Sequence, residues 1–171
     1  GLYPNPLPHG LGFEASGIVE AVGKDVHHVK VGDRVAYGQG PLGAYAEARN
    51  IPADRVVRLP EGISFEEGAA IMLKGLTVQY LMRQVYDLKK GDTVLIHAAA
   101  GGVGSLACQW ANAMGVRVIG TASSAEKTQM AKDNGAWATI NYSTEDVVQR
   151  VRELTDGAMV PVVYDGVGKA T

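Results

Sequence analysis

Residues Thr93–Gly104 read TVLIHAAAGGVG, an apolar run that passes directly into alanines and glycines. The apolar part, Val94–Ile96, is typical of a buried strand. From Val103 to Met114, apolar residues recur at helical spacing. A strand, a glycine-rich turn and a helix in this order are typical of the first unit of a dinucleotide-binding sheet. In such a unit a pyrophosphate approaches backbone N–H groups at the helix N-terminus, where the helix dipole favours negative charge.

The glycine pattern departs from the usual dinucleotide fingerprint at one position. Read as G-x-G-x-x-G, it has Ala99 in place of the first glycine, followed by Gly101 and Gly104. Glycine is favoured in this pattern because a Cβ would obstruct the pyrophosphate. Such a match is weak alone, and its place between a predicted strand and a predicted helix makes it much stronger.

The end of the second strand predicts which nicotinamide cofactor is preferred. That strand is predicted over Val116–Thr121, and units that prefer NAD carry an acidic residue near its end. Ala122 holds this position, and Ser123 and Lys127 follow it. Loss of a carboxylate and gain of a cation favour a 2′-phosphate, because the carboxylate would repel it. The sequence therefore favours NADPH; the alternative is that Ser124 is only a helix N-cap and Lys127 a solvated helix residue.

Composition is typical of a mixed α/β chain without a nucleic-acid partner. The chain has 171 residues, is 46% hydrophobic and carries a formal net charge of −2, which gives no reason to expect nucleic-acid or membrane-surface binding. No apolar stretch reaches ~18 residues, so no transmembrane helix is predicted and a cytoplasmic location is favoured. The single cysteine, Cys108, excludes an internal disulfide. Its place in a predicted helix favours a small buried hydrophobe over a nucleophile.

The chain divides into two predicted domains, 1–75 and 76–171. The first is expected to form a small β-barrel or folded sheet from four short strands, at Gly17–Val22, Asp33–Tyr37, Tyr45–Asn50 and Val56–Leu59. Two helices are predicted to follow, from a capping box at Ser64 to about Leu73 and then over Leu76–Val85.

The second domain alternates strands with helices, which indicates a parallel sheet wound on right-handed crossovers. After the second strand, helices are predicted at Ser124–Asn134 and Thr144–Thr155, and strands at Ala138–Asn141 and Val160–Asp165. This makes four strands, whereas a full doubly wound domain has about six. We therefore expect the sequence to stop in the middle of a Rossmann domain.

Four spaced motifs resemble those of the medium-chain dehydrogenase/reductase superfamily. They are GFEASG at 12–17, VGDRV at 31–35, MLKGLTVQYL at 72–81 and HAAAGGVG at 97–104. Within the superfamily, the chain is most similar to the zinc-independent NADPH:quinone oxidoreductases related to zeta-crystallin. The resemblance implies an α/β fold with a GroES-like β-barrel segment followed by a partial Rossmann doubly wound parallel sheet. It also implies a longer complete protein, in which both ends missing here complete the two domains.

The same resemblance predicts that no metal is bound. Zinc-dependent members carry a Gly-His-Glu motif whose histidine binds the catalytic zinc, and four cysteines that bind a structural zinc. Here Phe13 replaces that histidine, and no cysteine precedes Cys108. Phenylalanine has no lone pair to give a metal, and catalytic zinc needs about three protein ligands. Glu14, which remains from the motif, is expected to be structural.

The resemblance implies a set of cofactor-binding residues and leaves the catalytic residues unknown. By position, Thr77 corresponds to a residue near the nicotinamide and its ribose. The pyrophosphate turn corresponds to Ala100, Gly101, Gly102 and Val103. The adenosine ribose and its 2′-phosphate correspond to Ser123, Lys127 and Tyr142. As alternatives, Thr77 is an ordinary helix-start residue and Tyr142 only closes a strand; His97 is expected to be packed or hydrogen-bonded instead of catalytic.

The activity implied by the resemblance is reduction of a quinone by NADPH without a Lewis acid. A quinone already has low-lying acceptor orbitals, so positioning against the nicotinamide supplies much of the acceleration. One alternative is an NADPH-dependent reductase of an enone or enoyl double bond, and another is a cofactor-binding structural protein of the lens-crystallin type. In the family, the far strand of the sheet pairs with its counterpart in a second subunit, so the resemblance also implies a homodimer.

Overall fold

The computed structural model describes residues 4–169. The chain forms two compact units, Gly1–Leu76 and Thr77–Thr171. The described residues of each unit contain one β-sheet, antiparallel in the first and parallel in the second.

The sheet of the first unit has three strands in the order β1-β2-β3. The strands are β1 (Glu14–Ile18), β2 (Arg34–Gly38) and β3 (Val57–Arg58), and both neighbouring pairs are antiparallel. A short 3-10 helix, Ala53–Arg55, precedes β3. Three of the four strands predicted from the alternating pattern therefore exist, with boundaries shifted by a few residues.

The fourth predicted strand, Tyr45–Asn50, is wrong. Residues 45–48 form bends, and the Tyr45 side chain is 81% exposed. The backbone N–H of Tyr45 donates to the carbonyl of Leu11 at 3.0 Å. Further along, the guanidinium of Arg49 turns back and donates to the Tyr37 hydroxyl at 3.2 Å. These bonds to residues distant in sequence hold the segment in an irregular path that the local sequence could not reveal.

One helix, α1 (Phe65–Tyr80), replaces the two that were predicted, and a π-helical segment, Leu81–Val85, continues from it. The capping box is confirmed, because the Ser64 hydroxyl accepts from the Glu67 N–H at 3.0 Å. The predicted break was wrong because a helix interior tolerates a glycine such as Gly75 at a cost of about 1 kcal/mol.

The structural role expected for Glu14 is confirmed. Its carboxylate accepts from the backbone N–H of Leu73 at 2.7 Å and from the Lys74 ammonium at 3.1 Å. Gly38, the partner of Glu14 in the β1–β2 pair, permits this approach, because a Cβ there would lie 2.9 Å from the Leu73 nitrogen. Two of the motifs that carry the family resemblance therefore meet in space within the first unit.

The sheet of the second unit is parallel, with the strand order β6-β5-β4-β7. Its strands are β4 (Thr93–Ile96), β5 (Arg117–Ala122), β6 (Ala138–Asn141) and β7 (Val163–Tyr164). The helices between them are α2 (Gly102–Ala113), α3 (Ala125–Asp133) and α4 (Val147–Leu154). This alternation and order are those of one half of a doubly wound sheet, as the sequence predicted. The last strand is shorter than predicted, since β7 has two residues.

The main core of the second unit lies between β4, β5 and helix α2. Val94, Val118 and Cys108 have no exposed surface there. Burial raises the pKa of the Cys108 thiol to about 11, so the thiol stays protonated and unreactive at neutral pH. The prediction that Cys108 is a small buried hydrophobe is confirmed.

Within residues 4–169, none of the helices combines the length and the apolar character needed to cross a bilayer.

Candidate functional site

The glycine-rich turn lies at the carboxyl end of β4, where ligands bind in open parallel sheets. Ala98 leaves the strand with a positive φ of 51°. Gly101 then donates its N–H to the Ala98 carbonyl at 2.8 Å, and Ser105 donates to the Gly101 carbonyl at 2.8 Å. The N-cap residue of α2 is Gly101, which has no side chain to cap the helix. The first N–H groups of α2 therefore lack the side-chain acceptor that most helices carry at this place.

Close packing under the turn explains why alanine replaces the first glycine of the fingerprint. Ala99 is fully buried, and its N–H donates to the Thr121 carbonyl at 3.0 Å. Gly120 on β5 faces it, and a Cβ on Gly120 would lie 2.7 Å from the Ala99 Cβ. The methyl group of Ala99 therefore uses space that Gly120 leaves open. Gly104 has no such room, because a Cβ there would lie 2.7 Å from Ala99 Cα and closer still to the Ala98 oxygen.

The turn fits a pyrophosphate on these observations. Gly101 and Gly102 are exposed, while Ala100 and Val103 are half-buried. Backbone N–H groups at a helix N-terminus attract an anion through the helix dipole, and a glycine N-cap lets the anion approach closely. The structure thus brings all four predicted turn residues together on one strand-to-helix connection.

The predicted ribose-binding residues lie at the carboxyl ends of β5 and β6, which are neighbouring strands. Ala122 ends β5 and is 3% exposed, so no carboxylate is present at this position. Its carbonyl accepts from the N–H of Tyr142, the residue after β6, at 3.1 Å. The Ser143 hydroxyl donates to the carbonyl of Ser123 at 2.9 Å. Ser123 and Tyr142 are therefore adjacent. Ser143 joins them, and no sequence motif had pointed to it.

Lys127 lies in the first turn of α3, and its side chain is exposed. The Ser124 hydroxyl accepts from the Lys127 N–H at 3.3 Å, so the alternative role of Ser124 as a helix N-cap is confirmed. This capping involves only the backbone of Lys127 and leaves its ammonium available to an anion near Ser123.

One carboxylate near this edge, that of Glu145, is engaged in an ion pair. Glu145 accepts from the Asn141 N–H at 2.7 Å and from the Arg150 guanidinium at 3.0 Å. Arg150 also pairs with Glu153, so it offsets the charge of Glu145 only in part. Beside this group, β5 ends in Ala122 instead of an acid, and the first turn of α3 carries the exposed Lys127.

Thr77 and His97 lie on other parts of the second unit. Thr77 is half-buried within α1, so the alternative that it starts a helix is wrong. Its neighbour Val78 is fully buried in the main core. His97 follows β4, with Nδ1 at 2.8 Å from the hydroxyl of the buried Thr121. The expectation that His97 is hydrogen-bonded is confirmed.

Tyr164, on the strand beside β4, is engaged in a structural contact. The Tyr164 hydroxyl donates to the Leu81 carbonyl at 3.2 Å, and burial is the main cause that raises the pKa of Tyr164. Within residues 4–169, no group of three His, Cys, Asp or Glu side chains is arranged to hold a metal ion.

Two family models match separate parts of the chain. Residues 1–61 match the alcohol dehydrogenase GroES-like domain, and residues 102–171 match a family described as zinc-binding dehydrogenase.

Two known oxidoreductases are similar in sequence over 98% or more of the chain. It is 62% identical over 172 residues to a quinone oxidoreductase of Pseudomonas aeruginosa, which covers 100% of this chain and 53% of that protein. It is 46% identical over 175 residues to a 2-haloacrylate reductase of a Burkholderia species, which covers 98% of this chain and 53% of that protein.

A solved structure shares the fold closely. The crystal structure of Escherichia coli quinone oxidoreductase complexed with NADPH superposes with a TM-score of 0.93 at 56% identity, over 99% of this chain and 52% of that one. The chain thus spans about half the length of the curated relatives it matches.

Proposed function

Because this chain belongs to the medium-chain dehydrogenase/reductase superfamily, we propose that it takes part in transferring reducing equivalents from NADPH to a quinone. The observation that carries the cofactor assignment is the end of β5, where a buried Ala122 replaces an acid and Lys127 supplies an exposed cation. A carboxylate at this position would repel a 2′-phosphate. The quinone is proposed from the relatives whose names state it.

Each group of the cofactor has proposed partners among the described residues. The N–H groups of Gly101, Gly102 and Val103 bind the pyrophosphate, and the half-buried Ala100 shapes the turn before them. Ser123, Lys127 and Tyr142 bind the ribose 2′-phosphate. When bound, NADPH supplies the reducing equivalents.

Thr77 is proposed to act near the nicotinamide. This role comes from its position in the LKGLT motif and not from a contact in the structure. No general acid or base is assigned, since a quinone needs little polarisation and orientation accounts for much of the rate.

Zinc has no proposed role. Phe13, at the position of the zinc-binding histidine, has no lone pair, and its ring is 47% exposed. The neighbouring carboxylate of Glu14 is already bound to the Leu73 N–H and the Lys74 ammonium. The donor set of this segment therefore fits a structural contact and not a catalytic metal.

A second candidate function is reduction of an activated carbon–carbon double bond. The 46% identity to a 2-haloacrylate reductase favours it, since the substrate in that name carries such a bond. The same cofactor site serves both reactions, so only the acceptor distinguishes them. A structural, crystallin-type protein that binds NADPH without turning it over is the third possibility.

The experiment is a steady-state assay of the full-length protein with NADPH or NADH against a panel of quinones, enones and 2-haloacrylates. We expect turnover of quinones with a higher kcat/KM for NADPH than for NADH. Turnover of the alkenes alone would favour the second function, and NADPH binding without turnover of any acceptor would favour the third. A homodimer, also proposed from the family, is tested on the same preparation by light scattering.

A further inference from the structure

One hydroxyl links the ends of β5 and β6 on the ribose side of the site. Ser143 Oγ donates to the carbonyl of Ser123 at 2.9 Å. Ser123 is the first residue after β5, and Ser143 is the second residue after β6. The bond lies one step beyond the backbone bond from Tyr142 to Ala122. It therefore extends the pairing of the two strands into the segment where the 2′-phosphate is proposed to bind.

The position of Ser143 is fixed by its own turn. Its backbone N–H donates to the side-chain oxygen of Asn141 at 3.1 Å. Glu145 accepts from the Asn141 N–H at 2.7 Å, and Arg150 of α4 donates to Glu145 at 3.0 Å. The turn is thus anchored to both β6 and α4, and this anchoring preorganises the exposed Ser143 hydroxyl toward β5.

We propose that Ser143 is a positioning residue that makes the site selective for the 2′-phosphate of NADPH. This inference rests on the proposed function. The bond keeps the Ser123 carbonyl paired and holds Ser123 at a fixed distance from Tyr142. A negatively charged phosphate is repelled by a carbonyl oxygen without a donor, because that oxygen is the negative end of the peptide dipole. The ribose of NADH presents hydroxyl groups instead, which donate to such an oxygen, so loss of the bond weakens NADPH binding and spares NADH.

The test measures dissociation constants of NADPH and NADH by fluorescence titration of the full-length protein. We expect Ser143→Ala to raise the Kd of NADPH about 3- to 10-fold, the range of one neutral hydrogen bond, and to leave the Kd of NADH unchanged or lower. Ser143→Thr keeps the hydroxyl and should restore NADPH binding. Thr144→Val is the matched control, because the exposed Thr144 hydroxyl bonds only within its own turn, to the Asn141 carbonyl at 3.4 Å.

The outcomes separate this inference from the function on which it rests. If the wild-type protein prefers NADPH and the Ser143→Ala variant keeps the same preference, the inference is overturned and the proposed function stands. Equal losses of both cofactors, or a lowered unfolding midpoint with no change of preference, would overturn it as well, because the role would then be structural only. Wild-type protein that binds both cofactors equally would overturn the proposed cofactor and this inference with it.

Discussion

Gly104→Ala is expected to disrupt both the fold and the cofactor site. The new Cβ would lie 2.7 Å from Ala99 Cα, about 0.7 Å below the 3.4 Å at which ordinary contact begins, and it would also overlap the Ala98 carbonyl. Both obstacles are backbone atoms, so no side-chain rotation relieves the overlap. Ala99 is fully buried and bonded to the Thr121 carbonyl, so a backbone shift strains that bond.

The free energy of unfolding should fall by about 2–4 kcal/mol. Overpacking contributes about 1–3 kcal/mol and the weakened hydrogen bond about 1 kcal/mol. The shift also moves the N–H groups at the start of α2 away from the pyrophosphate, so NADPH should bind at least about tenfold more weakly. Urea unfolding of the full-length protein, followed by tryptophan fluorescence, measures the first effect, and cofactor titration measures the second.

Two alanine variants serve as controls. Gly101→Ala places its Cβ 3.1 Å from a single atom, the Ala98 oxygen, in a backbone conformation that alanine adopts freely (φ −78°). It should cost less than about 1 kcal/mol of stability while still weakening NADPH binding. Gly75→Ala in α1 meets only a side-chain atom at 3.4 Å and should stabilise the helix by about 0.5–1 kcal/mol. A Gly104→Ala variant within about 0.5 kcal/mol of wild type, with unchanged NADPH affinity, would refute this reasoning.

Three further predictions concern selectivity, metal and the buried thiol. Lys127→Ala should weaken NADPH binding by about 1–3 kcal/mol and leave NADH binding little changed. Lys132 is an exposed lysine at the other end of α3, so the control variant Lys132→Ala should change the binding of neither cofactor. Equal losses for both cofactors in Lys127→Ala would contradict this. With Phe13 at the position of the zinc ligand, the full-length enzyme should lack stoichiometric zinc and keep its activity after prolonged chelation; one zinc per chain, with activity lost on its removal, would contradict this. Burial raises the pKa of Cys108 to about 11, above its unfolded value, so stability is full below about pH 9 and falls as the pH rises toward 11. Unfolding at about pH 8 and about pH 10 should show this fall in wild type and a smaller fall in Cys108→Ala.

The second unit was predictable because its signals are local. Each strand is a short apolar run that ends in a turn or a helix cap, and the structure confirms Ser124 as a helix N-cap and a helix that begins within one residue of the predicted Val103. The first unit was less predictable because its irregular segment is held by contacts distant in sequence. The bond from Tyr45 to Leu11 has no local signature. The same reason hides Ser143 within the site, since a serine in a turn gives no indication of which carbonyl it will reach.

Helix α1 shows a related limit of local reasoning. Gly75 looks like a break because glycine is a poor helix former. The helix nevertheless continues. Just before Gly75, the backbone N–H of Leu73 donates to the carboxylate of Glu14, which lies 59 residues earlier in the chain. A partner so far away cannot be read from the helix sequence alone.

The glycines packed under the turn and the residues that follow β5 differ in how closely they are surrounded, and this difference has a consequence for how the proposed cofactor preference can change over time. A Cβ added at Gly104 or Gly120 would lie less than 3.0 Å from a neighbouring atom. Substitution there therefore lowers stability before it changes binding. Ser123 is half-buried and Lys127 is exposed, so both positions accept new side chains at little cost in stability. If the proposed cofactor site is right, we expect changes of cofactor preference to arise at Ser123 and Lys127 while Gly104 and Gly120 stay unchanged. The residues at the surface of the sheet edge can change cofactor preference at little cost in stability. The closely packed glycines cannot.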